Sequence, residues 1–445
     1  MNGTKDKTAS IHVFGCQMNK LDGELVSSVL AERGYTFTGD DDEAGLILFV
    51  TCSVRQHAED RVHSRLGALK RLKKQNPDLV IGLLGCMAQE HADRLFDRHR
   101  HLDVVCGTRD FHHVADLVER VRSGESQVAA VASTDRPEVA RDTAQRPALF
   151  SAFLGVMRGC NQFCSYCIVP FVRGREESRP ADDVVDEARR LIDDGVKEIT
   201  LLGQAVNRYD DGCGTRLPEL LVRLDRLSGL RRLHFVTSYP SHVDEALIAA
   251  IGDCPTVTRF LHVPAQSGSN AVLERMNRRY RVEDYVEMVD ALRAAVPDME
   301  FGSDFILGFP GESDDDFAAT VALLERVRFQ QSFIFKYSPR PGTLAAKKYA
   351  DDVPDAVKRE RNARLLAIQE KISTEKNAAL VGAEVEVLVT GRSRRDENRF
   401  TGRTVYNNIA AFRGKEEMIG RFARLRVART TALTLLCDDV LEVVD

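Results

Sequence analysis

The chain has 445 residues, of which 43% are hydrophobic and 29% charged, and its formal net charge is −5. Its length predicts about two to four domains, and its charge excludes a uniformly basic nucleic-acid binder. The longest apolar runs, such as Leu79 to Leu84, fall short of the roughly 20 residues of a membrane span, and the polar N-terminus lacks a secretory signal. We therefore expect a cytoplasmic protein, not associated with membranes, whose ten cysteines include metal ligands or catalytic thiols.

The N-terminal part alternates apolar, strand-like runs with amphipathic, helix-like segments. The strand-like runs are Ile11 to Phe14, Leu46 to Val50 and Val80 to Leu84. This alternation is typical of a doubly wound α/β domain with a parallel sheet, which we assign to residues 8–124. Residues 125–147 are polar, contain Pro137 and Pro147, and are predicted to be a linker.

Residues 148–378 repeat the alternation of strand-like and helix-like segments. The predicted strands are Phe153 to Met157, Glu198 to Leu202, Leu233 to Thr237, Arg259 to Val263, Glu300 to Leu307 and Gln331 to Phe335. A full or partial (β/α) barrel fits this pattern, with its chemistry at the carboxyl ends of the strands. The charged segment Asp355 to Leu380 is predicted to be a closing helix.

Residues 379–445 change to a period of two, with Val385, Val387 and Val389 alternating with other residues. This pattern predicts a small all-β barrel. Residues 392–429 contain eleven Lys and Arg against four acids. Such a basic strip favours binding of nucleic-acid phosphates, and the alternative is a solvated charged surface.

Three cysteines, Cys160, Cys164 and Cys167, follow a predicted strand with the spacing C-x3-C-x2-C. Three thiolates can bind three irons of a [4Fe-4S] cluster and leave the fourth iron open to another ligand. A structural zinc site needs a fourth protein ligand, and no further Cys or His lies nearby in sequence. The spacing therefore favours a redox-active iron–sulfur site.

Another three cysteines, Cys16, Cys52 and Cys86, each come directly after a predicted parallel strand. Ligands gather at the carboxyl ends of such strands, so these thiols can converge on a second cluster. Cysteines in this position are also common as small apolar core residues. Cys106 follows a strand-like run in the same way, and spacing alone does not choose between Cys106 and Cys86.

These motifs together resemble the methylthiotransferase family of the radical S-adenosylmethionine superfamily. The matching stretches are Gly15-Cys-Gln-Met-Asn19, Thr51-Cys-Ser-Val-Arg55, Gly85-Cys-Met-Ala-Gln89, Gly159-Cys-Asn-Gln-Phe-Cys-Ser-Tyr-Cys-Ile-Val-Pro170, Gln266-Ser-Gly268 and Ser338-Pro-Arg-Pro-Gly342. The resemblance implies two [4Fe-4S] clusters as cofactors. One is held by Cys160, Cys164 and Cys167 and binds S-adenosylmethionine, and the other is held by Cys16, Cys52 and Cys86 and carries the sulfur. All six cysteines are then catalytic as well as metal-binding, and Cys106 is an ordinary residue.

The resemblance also implies further cofactor contacts in the barrel. The matching residues are Tyr166, Gly203, Gln204, Ser238, Asp304 and Gly308. For the loop that contains Gly308, the alternative is an ordinary turn between strand and helix.

The C-terminal barrel resembles the TRAM domain, an RNA-binding barrel of this family. Arg403, Tyr406 and Asn407 match the loop of members that act on transfer RNA, and Tyr406 is expected to stack on an unpaired base. Ala205 and the pair Lys20-Leu21 depart from the residues that are usual in one branch of the family, the MiaB branch. These departures affect the expected contacts with the substrate and leave the expected chemistry unchanged.

The MiaB branch, which the chain resembles most, modifies N6-isopentenyladenosine at position 37 of transfer RNA, next to the anticodon. The implied activity is that of a transferase in which a radical removes hydrogen from C2 of the base and a methylthio group is inserted there. Alternative substrates are threonylcarbamoyl-adenosine in transfer RNA and an aspartate of a ribosomal protein, and an alternative of another class is a non-catalytic iron–sulfur RNA-binding protein.

The expected partners are the anticodon stem-loop and proteins that donate electrons and sulfur to a monomeric enzyme. Asp22, Glu24 and Arg55 lie near the N-terminal cysteines in sequence. They are candidates for polar groups around that cluster, although the simpler interpretation is that they form surface ion pairs.

Overall fold

The computed structural model describes residues 7–53, 56–92, 94–131, 146 and 148–444. These residues divide into two compact units. The first contains the described residues up to 146, together with Arg158–Asn161 and Cys167–Glu177. The second contains Ala148–Met157, Gln162–Tyr166 and the described residues from Ser178 onwards. Most of the predicted linker, residues 132–145 and 147, lies outside the described residues, but the prediction is wrong for Val128–Ala130, which form the sixth strand of the first unit's sheet.

The first unit is built on a six-stranded sheet in the order β2-β1-β3-β4-β5-β6, and every neighbouring pair is parallel. Its strands are β1 (Thr8–Val13), β2 (Thr36–Phe37), β3 (Leu46–Thr51), β4 (Val80–Gly85), β5 (Val104–Cys106) and β6 (Val128–Ala130). Its first helices are α1 (Gln17–Glu32), α2 (Gln56–Gln75), α3 (Cys86–His91), α4 (Arg94–Arg98) and α5 (Val114–Arg122).

Two apolar cores lie on opposite faces of this sheet. One contains Val26 and Leu30 of α1 with residues of α5, and the other contains Val62 and Leu66 of α2 with residues of α3 and α4. All six residues of β3 are buried, as expected of a parallel strand covered on both faces. The predicted doubly wound domain is therefore confirmed.

The middle of the chain continues the alternation of strands and helices. Its strands are β7 (Ser151–Gly155), β8 (Met157–Arg158), β9 (Glu177–Ser178), β10 (Glu198–Leu202), β11 (Arg232–Phe235), β12 (Phe260–His262), β13 (Glu300–Leu307) and β14 (Gln331–Lys336). Its helices are α6 (Val169–Arg173), α7 (Ala181–Asp193), α8 (Leu217–Asp225), α9 (Glu245–Asp253), α10 (Asn270–Arg275), α11 (Val282–Ala295), α12 (Asp314–Val327), α13 (Leu344–Lys348) and α14 (Asp355–Ala378).

Six of these strands form two parallel sheets, ordered β11-β10-β7 and β12-β13-β14. A parallel bridge between Leu233 and Val257 links the first sheet to the segment before β12. The strands therefore follow one another side by side, with β7 and β14 at the two outer edges. This arrangement confirms the partial (β/α) barrel. Gly203, Gln204, Ser238 and Gly308 follow the carboxyl ends of its strands, whereas Asp304 lies within β13.

The C-terminal residues form a closed five-stranded barrel in the order β15-β16-β17-β19-β18, which confirms the predicted all-β domain. Its strands are β15 (Glu384–Arg392), β16 (Phe400–Thr404), β17 (Ile409–Phe412), β18 (Phe422–Thr430) and β19 (Thr434–Val444). Val387, Val389, Phe400 and Phe412 fill its core. Among all described helices, none combines the length and apolarity needed to cross a bilayer.

Within the second unit, Arg232 joins this barrel to the amino end of β11. The buried guanidinium donates to the carbonyl oxygen of Arg403 at 2.6 Å and to both the carbonyl oxygen and a carboxylate oxygen of Glu386 at 3.1 and 3.2 Å. Its carbon atom also lies 4.8 Å from the centre of the Phe422 ring. One side chain therefore satisfies three acceptors across the contact between the two domains.

We predict that Arg232→Met lowers the free energy of unfolding of this unit by about 1–3 kcal/mol, because two backbone carbonyls and a carboxylate lose a charged hydrogen-bond donor. Urea denaturation followed by circular dichroism measures this change. Arg326→Met is the matched control, because Arg326 forms an exposed ion pair with Asp290 and its removal should change stability by less than about 0.5 kcal/mol. Equal losses in the two variants would contradict the assigned role of Arg232.

Candidate functional site

Cys16, Cys52 and Cys86 lie at the carboxyl ends of three neighbouring strands of the first unit. Cys16 precedes helix α1, Cys52 directly follows β3, and Cys86 is the first residue of α3, directly after β4. Because β1, β3 and β4 are adjacent and parallel, their ends meet at one edge of the sheet. The structure therefore brings together the three cysteines that were predicted to converge.

Two glycines allow this close approach. Gly15 and Gly85 precede two of the cysteines and have φ values of +121° and +93°, which side chains with a Cβ rarely adopt. A Cβ on Gly15 would lie 2.5 Å from the Cβ of Cys52, and one on Gly85 would lie 2.7 Å from the carbonyl oxygen of Thr51. The sharp turns after β1 and β4 therefore require residues without a side chain.

The thiols at this edge experience opposing electrostatic effects. A hydrogen bond from Cys52 lowers the pKa of the Cys16 thiol to about 6, helped by the positive charge of Arg173 and opposed by burial. Burial raises the pKa of the Cys86 thiol. In addition, Cys16 Sγ donates to Asn19 Oδ1 at 3.2 Å, and Asn19 Nδ2 donates to the carbonyl oxygen of Thr51 at 2.6 Å.

The interpretation of Asp22 and Glu24 as surface residues is wrong. Asp22 and Arg173 are both almost fully buried, and Arg173 Nη2 lies 2.6 Å from Asp22 Oδ2. Glu24 is also buried, and Arg55 lies outside the described residues. Helix α1 is buried on most sides, and both acids are among its buried residues. Arg173, which comes from the segment after the central cysteines, was not predicted as part of this site.

This set of groups fits an iron–sulfur cluster. Three converging thiols are soft ligands of the kind that such clusters use, and a buried guanidinium compensates the negative charge of thiolates. Cys106, the alternative ligand, lies in the apolar core with Val104 and Phe111, where burial raises its pKa well above the usual value. Its environment is that of an ordinary core residue.

The central triplet lies on the loop between β8 and α6. In the first unit, the backbone N–H of Cys160 donates to the carbonyl oxygen of Gly174 at 3.1 Å, and Cys160 is buried whereas Cys167 is half-buried. This hydrogen bond joins the start of the loop, at Cys160, to the residue that follows helix α6.

In the second unit, Cys164 is buried and contacts a cation that the sequence analysis missed. Arg278 Nη1 donates to Cys164 Sγ at 3.5 Å, and its guanidinium carbon lies 4.3 Å from the ring centre of Tyr239 and 5.0 Å from that of Tyr280. A cation held against a thiol fits a cluster ligand in this position. The only signal in the sequence was an Arg-Arg-Tyr run, which is more typical of a surface.

Three buried oxygen atoms at the carboxyl ends of β10, β11 and β12 have no hydrogen-bond partner among the described residues. They are Gln204 Oε1, Ser238 Oγ and Gln266 Oε1. Thr237 and Gln266 both have a φ of +67°, a strained conformation that is common at ligand sites. Because the three strands are successive, their carboxyl ends lie on one side of the barrel and so do the three oxygens. Oxygens without a partner there fit a polar ligand such as S-adenosylmethionine. Gln266 had not been predicted as a contact.

Four other predicted cofactor residues are accounted for by packing in the second unit. Gly203 leaves no room for a Cβ against Met157, and Asp304 Oδ1 lies 3.2 Å from His262 Nε2. Tyr166 contacts Phe309 edge to face at 6.5 Å between ring centres. Gly308 has a φ of +68° and packs against Lys358, as an ordinary turn between strand and helix would. Their contact with a cofactor stays a prediction.

The three predicted RNA contacts lie on the C-terminal β-barrel, where it meets the amino ends of the strands of the central (β/α) barrel. Arg403 Nη1 donates to Asn407 Oδ1 at 2.7 Å, and the Tyr406 hydroxyl donates to Asp298 Oδ2 at 2.9 Å. Burial and the charge of Asp298 raise the pKa of Tyr406 to about 12. The Tyr406 hydroxyl is therefore engaged within the protein, and stacking on a base would involve the ring face.

The basic strip is partly neutralised by acids from outside residues 392–429. Arg424 pairs with Glu442, and Arg426 pairs with Glu384 at 3.0 Å. Four exposed arginines form no ion pair with the residues that the structure describes, namely Arg394, Arg395, Arg413 and Arg429. These side chains remain available to phosphates.

We predict that Cys16 in reduced, metal-free protein is alkylated by iodoacetamide with a half-maximal rate near pH 6, because the thiolate is the nucleophile and the pKa of this thiol is about 6. Cys52→Ala removes the donor and should move this midpoint to higher pH. Peptide mass spectrometry over a pH series measures the rate, and exposed Cys213 is the internal control. An unchanged midpoint in the variant would refute the thiol–thiol hydrogen bond.

Comparison with known families divides the chain into three parts. Residues 8–107 match the Uncharacterized protein family UPF0004, residues 154–324 match the Radical SAM superfamily, and residues 378–436 match the TRAM domain.

Two solved structures share much of this fold. The radical S-adenosylmethionine methyltransferase TsrM from Kitasatospora setae, with cobalamin and a [4Fe-4S] cluster bound, has a TM-score of 0.56 at 14% identity, over 76% of this chain and 74% of that chain. The cobalamin-dependent S-adenosylmethionine radical enzyme OxsB has a TM-score of 0.53 at 14% identity, over 83% and 56% of the respective chains. At this identity the likeness concerns the fold alone.

Curated relatives match the chain along nearly its whole length. The tRNA-2-methylthio-N(6)-dimethylallyladenosine synthase of Rhodopirellula baltica is 42% identical over 97% of this chain and 95% of its own. The protein of the same name from Thermoanaerobacter pseudethanolicus is 41% identical over 98% of this chain and 93% of its own. The chain therefore belongs to the tRNA-2-methylthio-N(6)-dimethylallyladenosine synthase family.

Proposed function

We propose that this protein is a transferase that inserts a methylthio group at C2 of N6-isopentenyladenosine at position 37 of transfer RNA, using S-adenosylmethionine and two [4Fe-4S] clusters. The observation that carries the proposal is the convergence of Cys16, Cys52 and Cys86 at one sheet edge. Generating a radical needs only the central triplet, so a second set of soft ligands supports a reaction that also supplies sulfur.

The residues of the chain divide between these two tasks. When bound, the cofactors supply a 5′-deoxyadenosyl radical and a transferable methylthio group. Cys160, Cys164 and Cys167 would hold the cluster that binds S-adenosylmethionine, and Arg278 would compensate the charge of Cys164. The unsatisfied oxygens of Gln204, Ser238 and Gln266 would accept hydrogen bonds from the amino group and hydroxyls of S-adenosylmethionine. The order and position of these groups follow the successive strands β10 to β12.

An aromatic surface on the edge strand β14 supports isopentenyladenosine as the substrate. Phe333 and Phe335 have nearly parallel rings, 14° apart, and Phe333 is 48% exposed. In the parallel register Phe333 lies opposite Asp304, and its ring contacts His262 edge to face. Aromatic rings suit an adenine with an apolar N6 group. The carboxylate of threonylcarbamoyl-adenosine would instead approach Asp304 and be repelled.

The exposed arginines of the C-terminal barrel support transfer RNA as the partner. Arg394, Arg395, Arg413 and Arg429 offer charges that are not neutralised within the described residues, and phosphate binding supplies affinity independent of sequence. Recognition of the anticodon stem-loop, reduction and resulfuration by donor proteins, and action as a monomer in the cytoplasm belong to the same proposal. The non-catalytic alternative offers no reason for the unsatisfied oxygens above the barrel.

Alanine replacement of each cysteine set tests the division of tasks. With Cys16, Cys52 and Cys86 replaced, the reduced protein should still form 5′-deoxyadenosine but no methylthio product, and its iron should fall from about eight to about four per chain. With Cys160, Cys164 and Cys167 replaced, 5′-deoxyadenosine should disappear. Liquid chromatography with mass spectrometry and iron analysis measure these outcomes.

Cys106→Ala is the matched control, because Cys106 also follows a strand of the same sheet but lies in the core. It should keep the full iron content and both products. Methylthiolation without Cys16, Cys52 and Cys86, or the absence of 5′-deoxyadenosine from the unmodified enzyme, would overturn the proposal.

We predict that Phe333→Ala lowers kcat/KM for an isopentenylated anticodon stem-loop on the order of tenfold, because a stacked base loses its partner. Cleavage of S-adenosylmethionine without RNA should be unchanged. Leu366→Ala, which removes a similarly exposed apolar side chain from helix α14, should leave both rates unchanged. Equal kcat/KM values for the two variants would exclude Phe333 from substrate binding.

A further inference from the structure

Arg173 is the last residue of helix α6, which begins two residues after Cys167. Ile168 and Val172, on the same short segment, pack against Cys86 in a buried cluster. The backbone carbonyl of Val172 also accepts a hydrogen bond from Thr108 Oγ1 at 2.7 Å, and Gly174 accepts one from the N–H of Cys160. The segment that carries Arg173 is therefore fixed in the first unit at several points beside the N-terminal cysteines.

The guanidinium of Arg173 is held on one side only. Its Nη2 donates to Asp22 Oδ2 at 2.6 Å, and the exposed fractions of the two side chains are 3% and 2%. Its Nη1 is buried and has no hydrogen-bond partner among the described residues. Buried donors are nearly always satisfied, so this atom calls for a ligand or another explanation.

The thiols of the N-terminal set are the groups that Arg173 faces. The charge of the guanidinium acts on both Cys86 and Cys16, and Ile168 and Val172 of the same segment pack against Cys86. Asp22 lies beside both thiols and repels their negative charge, so the cation of Arg173 is what makes this edge suitable for thiolates. A buried ion pair by itself is weak support for stability, which leaves a role at the cysteines as the better explanation.

We propose that Arg173 is a positioning residue for the sulfur centre held by Cys16, Cys52 and Cys86, with Asp22 fixing Nη2 so that Nη1 donates to a sulfur atom of that centre. The inference rests on the proposed function only in taking these three cysteines as cluster ligands. A donor and a positive charge at the sulfur atoms stabilise the more negative, reduced state of a cluster and so raise its reduction potential. They also slow the loss of iron, as outer groups around metal ligands do.

The test uses full-length protein in which Cys160, Cys164 and Cys167 are replaced by alanine, so that only the N-terminal cluster is formed. In this background, Arg173→Met should bind about four irons, show a more negative reduction potential in a dye-mediated titration followed by electron paramagnetic resonance, and lose iron to EDTA faster on the order of tenfold. Arg173→Lys keeps the charge but not the paired donors and should give an intermediate result. Asp22→Asn removes the carboxylate that fixes Nη2 and should therefore speed the loss of iron, as Arg173→Met does, whereas the loss of a negative charge beside the thiols shifts the potential in the opposite direction.

Arg361→Met in the same background is the matched control. Arg361 also forms a buried pair, with Glu312 at 2.7 Å, and the exposed fractions of these side chains are 7% and 1%, but its ion-pair partners are the carboxylates of Glu312 and Asp314. It should destabilise the protein without moving the potential. If Arg173→Met shows the same reduction potential and the same rate of iron loss as the control, Arg173 has only a structural role. Should Arg173→Met not fold, Arg173→Lys is compared with the control in the same way.

The two proposals fail in different ways. If the background protein itself binds no iron, then Cys16, Cys52 and Cys86 are not cluster ligands and the proposed function fails. If the cluster forms and neither its potential nor its loss of iron responds to the replacement of Arg173, only the role of Arg173 is overturned.

Discussion

The carboxyl ends of parallel strands meet at one edge of a sheet, and both the N-terminal cysteine site and the candidate cofactor site of the second unit depend on that constraint. In the first unit it brings Cys16, Cys52 and Cys86 together although 70 residues of sequence separate the outer two. In the second unit it brings together the unsatisfied oxygens of Gln204 and Ser238 after successive strands. In both units, the ends of parallel strands therefore bring together polar groups that are distant in sequence, without a long buried loop.

Compensation of charge is the second feature common to the candidate sites. Thiolates and iron–sulfur clusters are anionic, and each described set has a guanidinium beside it: Arg173 near Cys86 and Cys16, and Arg278 near Cys164. The two cations are held differently. Arg173 is oriented by the carboxylate of Asp22, whereas Arg278 lies against the rings of Tyr239 and Tyr280. The carboxylate of Asp22 neutralises much of the charge of Arg173, whereas the neutral rings leave the charge of Arg278 in place. The two sites are therefore expected to differ in electrostatic potential.

The repeating pattern of strands and helices was enough to predict the doubly wound domain, the partial barrel and the small β-barrel, because burial on both faces of a parallel sheet leaves long apolar runs such as β3. The spacing of the cysteines predicted the central site, whereas the choice of Cys86 over Cys106 at the N-terminal site came from the family resemblance. Arg173, Arg278 and Gln266 could not be found in this way, since each reaches its site through packing between segments distant in sequence. The inward turn of Asp22 was missed for the same reason: an acid on the first turns of a helix is usually exposed, and only its partner Arg173 explains its burial.

The central claim, that this chain adds a methylthio group to isopentenyladenosine in transfer RNA, is tested most directly by nucleoside analysis. The chain would be expressed in a bacterium whose own methylthiotransferase gene is deleted, and its transfer RNA digested and examined by liquid chromatography and mass spectrometry. The account predicts that 2-methylthio-N6-isopentenyladenosine appears as N6-isopentenyladenosine falls. A methylthio group found only on threonylcarbamoyl-adenosine, or on no nucleoside at all, would contradict it.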